Sequence, residues 1–362
     1  MTAVVTASSP STATAGATST IDPRDRAIAW GKRAGTWLLA IVVFCIFVWT
    51  KGANPITALK DMFKSTLDTK SMGDVLVRST PLILAGLAVA VPARAGLVNV
   101  GGEGQIVIGS VAACGVGLAL DGNVGGGLVI VLMLLAAAVA GAIWAGLAAL
   151  LRTLLRIPEA ITTLLLNYVA IDIMLYLIYD RWKNSKGTGQ PTSRPLSVPS
   201  RLSVIGDSRV HAGIFVAVGA AIIMWLALTR TSWGFKLRVV GGNPEAARRA
   251  GLPVKRLLMS AMVVGGALGG MAGMVHFAGA EFSLRQGMTA GFGYTAFLAS
   301  WLGRHHPLKV VVGALLLGFL SVGGTSLQID SQLPAATVNV LMALVLLAVL
   351  ANSASAFRTS RS

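Results

Sequence analysis

The residues best placed for chemistry fall in two short stretches. In the first, Asn243-Pro244-Glu245 opens and Gly251-Leu252-Pro253 closes a run of about two helical turns. Asn243 can cap an N-terminus, Pro244 suits the first helical position, and Glu245 places a negative charge in the first turn. Gly251 can take the left-handed stop, and Pro253 prevents continuation. So short a helix is marginal alone in water and needs a surface to dock on. Ala246, Ala247 and Ala250 give it small side chains that can lie close against a groove, and Arg248 and Arg249 mark a cytoplasmic face. An ordinary inner loop with one helical turn is the simpler alternative.

The second stretch holds Asn99, Glu103 and Gln105 among Gly96, Gly101, Gly102 and Gly104, shortly after Pro92. Proline and glycine in that pattern break a helix between two apolar runs. Exposed backbone at membrane depth is tolerated only inside protein or along a water-filled cavity, and transporters place substrate at such breaks. Glu103 is then an acid at the membrane and a candidate for function. A cytoplasmic turn, with Glu103 solvated or paired to Arg94, is the alternative. Asn167 and Tyr168 add an amide and an aromatic face one turn before Asp172, the acid set deepest in an apolar run. Asp172 fits a polar pathway and a helix-to-helix hydrogen bond equally well. The chain holds no phosphate-binding G-x-x-x-x-G-K-[ST] loop, no H-E-x-x-H and no G-x-S-x-G elbow. The pair His305-His306 reads as a solvated turn, and His276 as a helix-interface residue.

The elements that must position these residues are membrane helices. Of 362 residues, 54% are hydrophobic and only 12% charged, about half the charge of an ordinary soluble domain. Apolar runs lie near 36–49, 75–91, 105–120, 126–151, 160–179, 212–229, 257–278, 292–302, 310–327 and 335–350. The expected fold is therefore all-α and polytopic, with about ten transmembrane helices, several short or broken. Residues 1–33 read as a disordered cytoplasmic tail, 34–352 as the membrane domain and 353–362 as a second cytoplasmic tail. The net charge of +16 is spread over loops, which fits a chain oriented by cytoplasmic Lys and Arg rather than a nucleic-acid groove. Loop 230–256 carries Arg230, Lys236, Arg238, Arg248, Arg249, Lys255 and Arg256 and is placed inside, with both termini. Loop 180–210, rich in Ser and Pro, is placed outside. Gly265, Gly269 and Gly273, with Gly266 and Gly270 beside them, form a stripe along which another helix can approach closely. Cys45 and Cys114 sit in apolar runs and suggest neither a disulfide nor a metal site.

Glu245-Ala246-Ala247-x-x-x-Gly251 resembles the E-A-A-x-x-x-G coupling loop of ABC-importer permeases. Pro81-Leu82-Ile83-Leu84-Ala85-Gly86-Leu87 and Gly96-Leu97-Val98-Asn99-Val100-Gly101-Gly102-Glu103-Gly104-Gln105 are similar to the P-L-I-L-x-G-L and G-L-x-N-I-G-x-E-G-Q signatures of nucleoside-type permeases. Two further matches are Glu159-Ala160-Ile161-Thr162-Thr163-Leu164-Leu165-Leu166-Asn167-Tyr168, near E-V-I-x-T-x-M-x-N-Y, and Gly291-Phe292-Gly293-Tyr294, near G-x-G-[FY]. Ala160 and Leu165 depart from the pattern conservatively. The likeness covers about 75–350 and falls in the simple-sugar, nucleoside and branched-chain amino-acid branch.

This resemblance implies a permease subunit of an ATP-driven importer in a bacterial plasma membrane, moving nucleosides and performing no covalent chemistry. It implies an ATP-binding subunit that holds ATP and magnesium, a second permease subunit and an extracytoplasmic substrate-binding protein. Asn243, Glu245, Ala246, Ala247, Arg248 and Gly251 would couple to the ATPase. Asn99, Glu103, Gln105, Asn167, Tyr168, Phe292 and Tyr294 would serve the substrate pathway. The same machine for ribose or another sugar is one rival reading. An ion-coupled secondary transporter using Glu103 and Asp172 is another, but it would have no need of the helix at 244–250. An intramembrane hydrolase lacks a paired nucleophile and base.

Overall fold

The computed structural model describes residues 23–359 other than 121, 186, 188, 290, 331 and 335. Among the described residues the regular elements are helices, with only isolated β-bridges in the loops, as suits a chain that satisfies its own backbone in lipid. Helix α1 (Pro23–Thr50) starts well before its apolar run, so 23–33 is helical where a tail was expected. Pro23 holds the first position, where its fixed φ suits a helix. The rest of that expected tail, 1–22, lies outside the described residues. A bend of 108° leads into α2 (Pro55–Thr66), capped by Asn54 Oδ1.

The following helices are α3 (Thr69–Arg94), α4 (Gly102–Leu120), α5 (Gly126–Leu155), α6 (Glu159–Tyr179) and α7 (Gly213–Arg230). Two short helices, α8 (Ser232–Gly242) and α9 (Pro244–Arg249), precede α10 (Val254–His276), which continues as a π-turn to Glu281. The last three are α11 (Phe292–Leu302), α12 (Pro307–Asp330) and α13 (Ala336–Thr359). Helix α13 runs through most of 353–362, the stretch expected as a tail; residues 360–362 lie outside the described residues.

Among the described residues seven helices are long and apolar enough to cross a bilayer, or eight if the bent α1–α2 pair is one span. The sequence count of about ten exceeds this by α11 and α13. Helix α11 has 11 residues, about 16 Å of rise against a core of about 30 Å. The apolar part of α13, Ala336–Val349, is also short. An apolar run in sequence does not tell a half-span buried in protein from a full crossing.

Helix α3 is the central column, with 83% of its apolar window buried against 28% for α5 and α7. Helix α10 packs beside it through the glycine stripe, which serves three neighbours rather than one. Gly265 faces Ala88 and Pro92 of α3, Gly269 and Gly273 face Gln105 and Ile106 of α4, and Gly266 and Gly270 face Gly141 and Ala137 of α5. Backbones approach this closely because no side chain intervenes. Loop 180–212 folds across the far end of α10. Ser193 N donates to Leu284 O (2.9 Å), Leu196 N to Phe282 O (2.7 Å) and Leu202 N to Ala278 O (2.9 Å), and Leu196 is fully buried there.

Candidate functional site

Helix α9 forms as its sequence dictates. Asn243 Oδ1 accepts from Glu245 N (3.1 Å) and Ala246 N (3.0 Å). At the other end Gly251 takes φ +79°, and Leu252 N reaches back to Ala247 O (3.0 Å), the pairing that a left-handed glycine stop permits. Glu245 bonds Arg248 (2.8 Å) and lies 3.6 Å from Arg249. Asn243, Glu245, Ala246, Arg248 and Gly251 are all exposed, whereas Ala247 is fully buried and fastens the helix to its own chain.

Helix α8, absent from the sequence reading, is the strut behind α9. Thr231 Oγ1 caps it at Gly234 N (3.3 Å), Trp233 Nε1 donates to Ser260 Oγ on α10 (3.0 Å), and Arg238 donates to Leu228 O (2.6 Å). Its end at Gly241 lies against Gly96: a Cβ on Gly96 would meet Gly241 Cα at 3.4 Å, and one on Gly241 would meet Arg94 O at 2.4 Å. Helix α9 is thereby joined to residue 96, the start of the unwound segment 95–101 between α3 and α4.

In that segment Ala95, Leu97 and Asn99 are buried while Gly96 and Val98 are exposed, and side chains bind much of its polar backbone. Helix α6 supplies Glu159, Thr163 and Asn167, one per turn on one face. Glu159 Oε1 accepts from Val98 N (2.9 Å) and Thr163 Oγ1 from Val100 N (3.3 Å). Asn167 Oδ1 accepts from Gly104 N (2.8 Å), while its Nδ2 donates to Val100 O (3.1 Å). Arg152 pairs with the second oxygen of Glu159. Asn99 and Gln105 exchange amide hydrogen bonds (3.0 and 3.3 Å), and Asn99 also donates to Ala88 O (3.0 Å) and accepts from Gly101 N (3.1 Å).

Glu103 lies where the N-termini of α4 and α11 meet. Its carboxylate accepts from Thr289 Oγ1 and from Gly293 N (2.7 Å), and is 4% exposed. Negative charge is favoured at a helix N-terminus, and here two of them face it. Glycine at 293 is required, since a Cβ would sit 2.0 Å from Glu103 N. Arg94, the partner considered from sequence, instead donates from Nε to His305 O (3.0 Å).

The sequence-predicted pathway residues therefore divide. Asn99, Glu103, Gln105 and Asn167 come together as one buried, hydrogen-bonded junction. Phe292 is half-buried, with its ring edge against His276 (4.7 Å between centroids). Tyr168, Tyr294 and Asp172 lie on exposed faces, away from the junction's hydrogen bonds. Three junction residues were missed: Glu159, Thr163 and Thr289. The spacing of the first two with Asn167, four residues at a time, was the available signal. Beside the junction, Asn99, Gly96, Phe297, Trp301 and His305 border a cavity of about 200 Å³. Burial, with Arg94 alongside, pushes the His305 imidazole down to about 4. Among the described residues no cluster of side chains could hold a metal ion.

Comparison with known proteins fits this architecture. Residues 71–350 match the family model described as branched-chain amino acid transport system, permease component. The chain is 37% identical to the glucose ABC transporter permease protein TsgB13 of Haloferax volcanii, over 90% of this chain and 89% of that one. It is 35% identical to the guanosine ABC transporter permease protein NupP of Bacillus subtilis, over 79% and 82%. To the nucleoside ABC transporter permease protein NupB of Lactococcus lactis it is 29% identical, over 86% of each. With its exposed capped helix braced against an unwound, side-chain-satisfied segment between membrane helices, the chain belongs to the family of ABC transporter permease components typified by the branched-chain amino acid systems.

Proposed function

We propose that this chain is the membrane-spanning subunit of an ATP-driven importer for nucleosides in a bacterial plasma membrane. The observation that carries the reading is the placement of α9. It is capped at both ends, exposed on every named coupling residue except Ala247, and tied through α8 and the Gly241–Gly96 contact to the unwound segment. A short helix with so little of its own to bury needs a partner surface, and an ATP-binding subunit that holds ATP and magnesium fits it. The α9 end is then cytoplasmic and loop 180–210 extracytoplasmic, facing a substrate-binding protein. A second permease subunit completes the pathway. The junction of Asn99, Glu103, Gln105 and Asn167 is the fixed support against which α9 acts on α4 and α11, and Phe292 faces the pathway. Pathway roles for the exposed Tyr168 and Tyr294 rest on sequence resemblance alone.

Nucleosides are favoured because the guanosine and nucleoside permeases of two bacteria match along most of their length. A simple sugar is the second reading, carried by the 37% identity to a glucose permease. The test is uptake of radiolabelled guanosine and glucose by proteoliposomes holding the complete complex and its binding protein. Guanosine uptake that requires ATP and ignores a proton gradient is expected. Glucose uptake alone would move the assignment to sugars, and uptake driven by the gradient without ATP would overturn the importer reading.

A further inference from the structure

Arg78 stands inside α3, about 13 Å along the helix from Thr69, within the apolar run 75–91 and with its side chain exposed; a cation within a membrane helix marks function. Among the described residues no carboxylate lies within ion-pairing distance of it, and its one hydrogen bond runs from Nη1 to Ser321 Oγ on α12 (3.0 Å). Two cavities meet at this residue. One, of about 340 Å³, lies between α3, α11, α12 and α13 and is bordered by Arg78, Phe292, Thr295, Ser321, Gln328 and Asn339. The other, of about 250 Å³, lies toward loop 282–291 and adds His276, Glu281 and Arg285. Arg78 and Phe292 border both. In the second cavity Glu281 and Arg285 neutralise one another through bonds of 2.7 and 3.1 Å, which leaves Arg78 as the uncompensated charge.

The larger cavity falls within the size range of small-molecule sites. The amides of Gln328 and Asn339 have no hydrogen-bond partner among the described residues, and both are exposed to the cavity face. An amide offers a donor and an acceptor side by side, and a guanidinium offers several donors in a plane. With an aromatic ring beside them, these groups suit a neutral solute that joins a planar ring rich in carbonyl and ring-nitrogen acceptors to a hydroxylated ring. On α3, Arg78 and Leu82 border the larger cavity, while Val89 and Ala93, on the same helix face, border the cavity beside Asn99 and Trp301. One stripe of α3 thus leads from Arg78 toward the α9 end.

We infer that Arg78, Phe292, Gln328 and Asn339 form the solute-selecting site of the translocation pathway, with Arg78 donating to acceptor atoms of the solute. This rests on the importer reading and names a site within it. The test uses the complete complex in proteoliposomes, with guanosine and glucose as probes. Arg78→Gln is expected to lower ATP-dependent uptake about ten-fold or more, the scale of one lost charge-assisted hydrogen bond, while ATP hydrolysis stimulated by the binding protein persists. Unchanged uptake by Arg78→Gln would overturn the inference. Should that variant fail to assemble, a cysteine at position 295, made by Thr295→Cys with Cys45→Ala and Cys114→Ala, decides the matter. Its modification by a small thiol reagent should slow when the transported probe is supplied, and no slowing with either probe would overturn the inference. Wild-type uptake that needs no ATP would overturn the importer reading alone, because protection at position 295 still reports on the cavity.

Discussion

Helix α9 and the junction around Glu103 are opposite ways of holding polar groups. The groups that terminate α9 are within a few residues of it: Asn243 at one end, Gly251 at the other, with Glu245 pairing to Arg248 on the same helix. The junction is built from residues far apart in the chain, with Glu103 bound to Thr289 and Gly293, and the 98–104 backbone bound to Glu159, Thr163 and Asn167. One is exposed and locally determined, and the other is buried and exists only when four helices are in place. A surface element can change without unfolding the protein. A buried network cannot, because each orphaned polar group carries its full desolvation cost.

The largest effect should come at Gly293. In Gly293→Val the new Cβ would lie 2.0 Å from Glu103 N, and its nearest neighbours are all backbone atoms of Gly102 and Glu103 rather than a flexible side chain that could give way. The variant is expected not to yield folded protein, as read by size-exclusion chromatography of detergent-extracted membranes; a monodisperse, active variant would show that α4 and α11 do not meet there. Asn167→Ala should come next. It leaves Gly104 N and Val100 O unpaired, at a cost of roughly 1–3 kcal/mol for each buried group, and should lower the melting temperature clearly.

A smaller effect follows from His305, whose proton affinity in the folded chain is lowered to about 4 by burial and by Arg94. Between about pH 4 and the ordinary imidazole value near 6.5 the unfolded chain binds a proton that the folded chain does not. Its contribution to stability is therefore complete above pH 6.5 and is lost as the pH falls toward 4. His305→Asn should flatten the fall in melting temperature over that window, and an unaltered profile would assign the pH dependence elsewhere. At α9 the stability effects should be smallest. Gly251→Val places a β-branched residue at φ +79°, a strain of about 1–2 kcal/mol confined to an exposed turn, and should uncouple ATP hydrolysis from uptake while the protein stays folded.

The same division decides what could be read from the sequence. Caps, stop and charge pattern of α9 lie within eleven residues, 243–253, and each has a local physical meaning, so that helix was legible. The break after α3 was legible from Pro92 and its glycines. The receivers of the broken backbone were not, since Glu159 and Thr163 are more than sixty residues away and resemble any polar residues at a helix start. Helix α8 was hidden because its glycines, Gly234, Gly241 and Gly242, argue against helix, and its docking on Ser260 and Leu228 overrides that local preference. For Arg78 the signal available was a single arginine within the 75–91 run.

The central claim is that α9 transmits and the junction supports, and a pair of variants in the assembled complex tests it most directly. Glu245→Lys reverses an exposed charge whose ion pairs contribute about 0–1 kcal/mol, whereas Asn167→Ala opens the buried network. Melting temperature, ATP hydrolysis and uptake should be measured on both. Glu245→Lys is expected to melt with the wild type yet lose ATP-driven uptake, and Asn167→Ala to melt markedly lower. Normal uptake by Glu245→Lys, or a wild-type melting temperature for Asn167→Ala, would contradict the account.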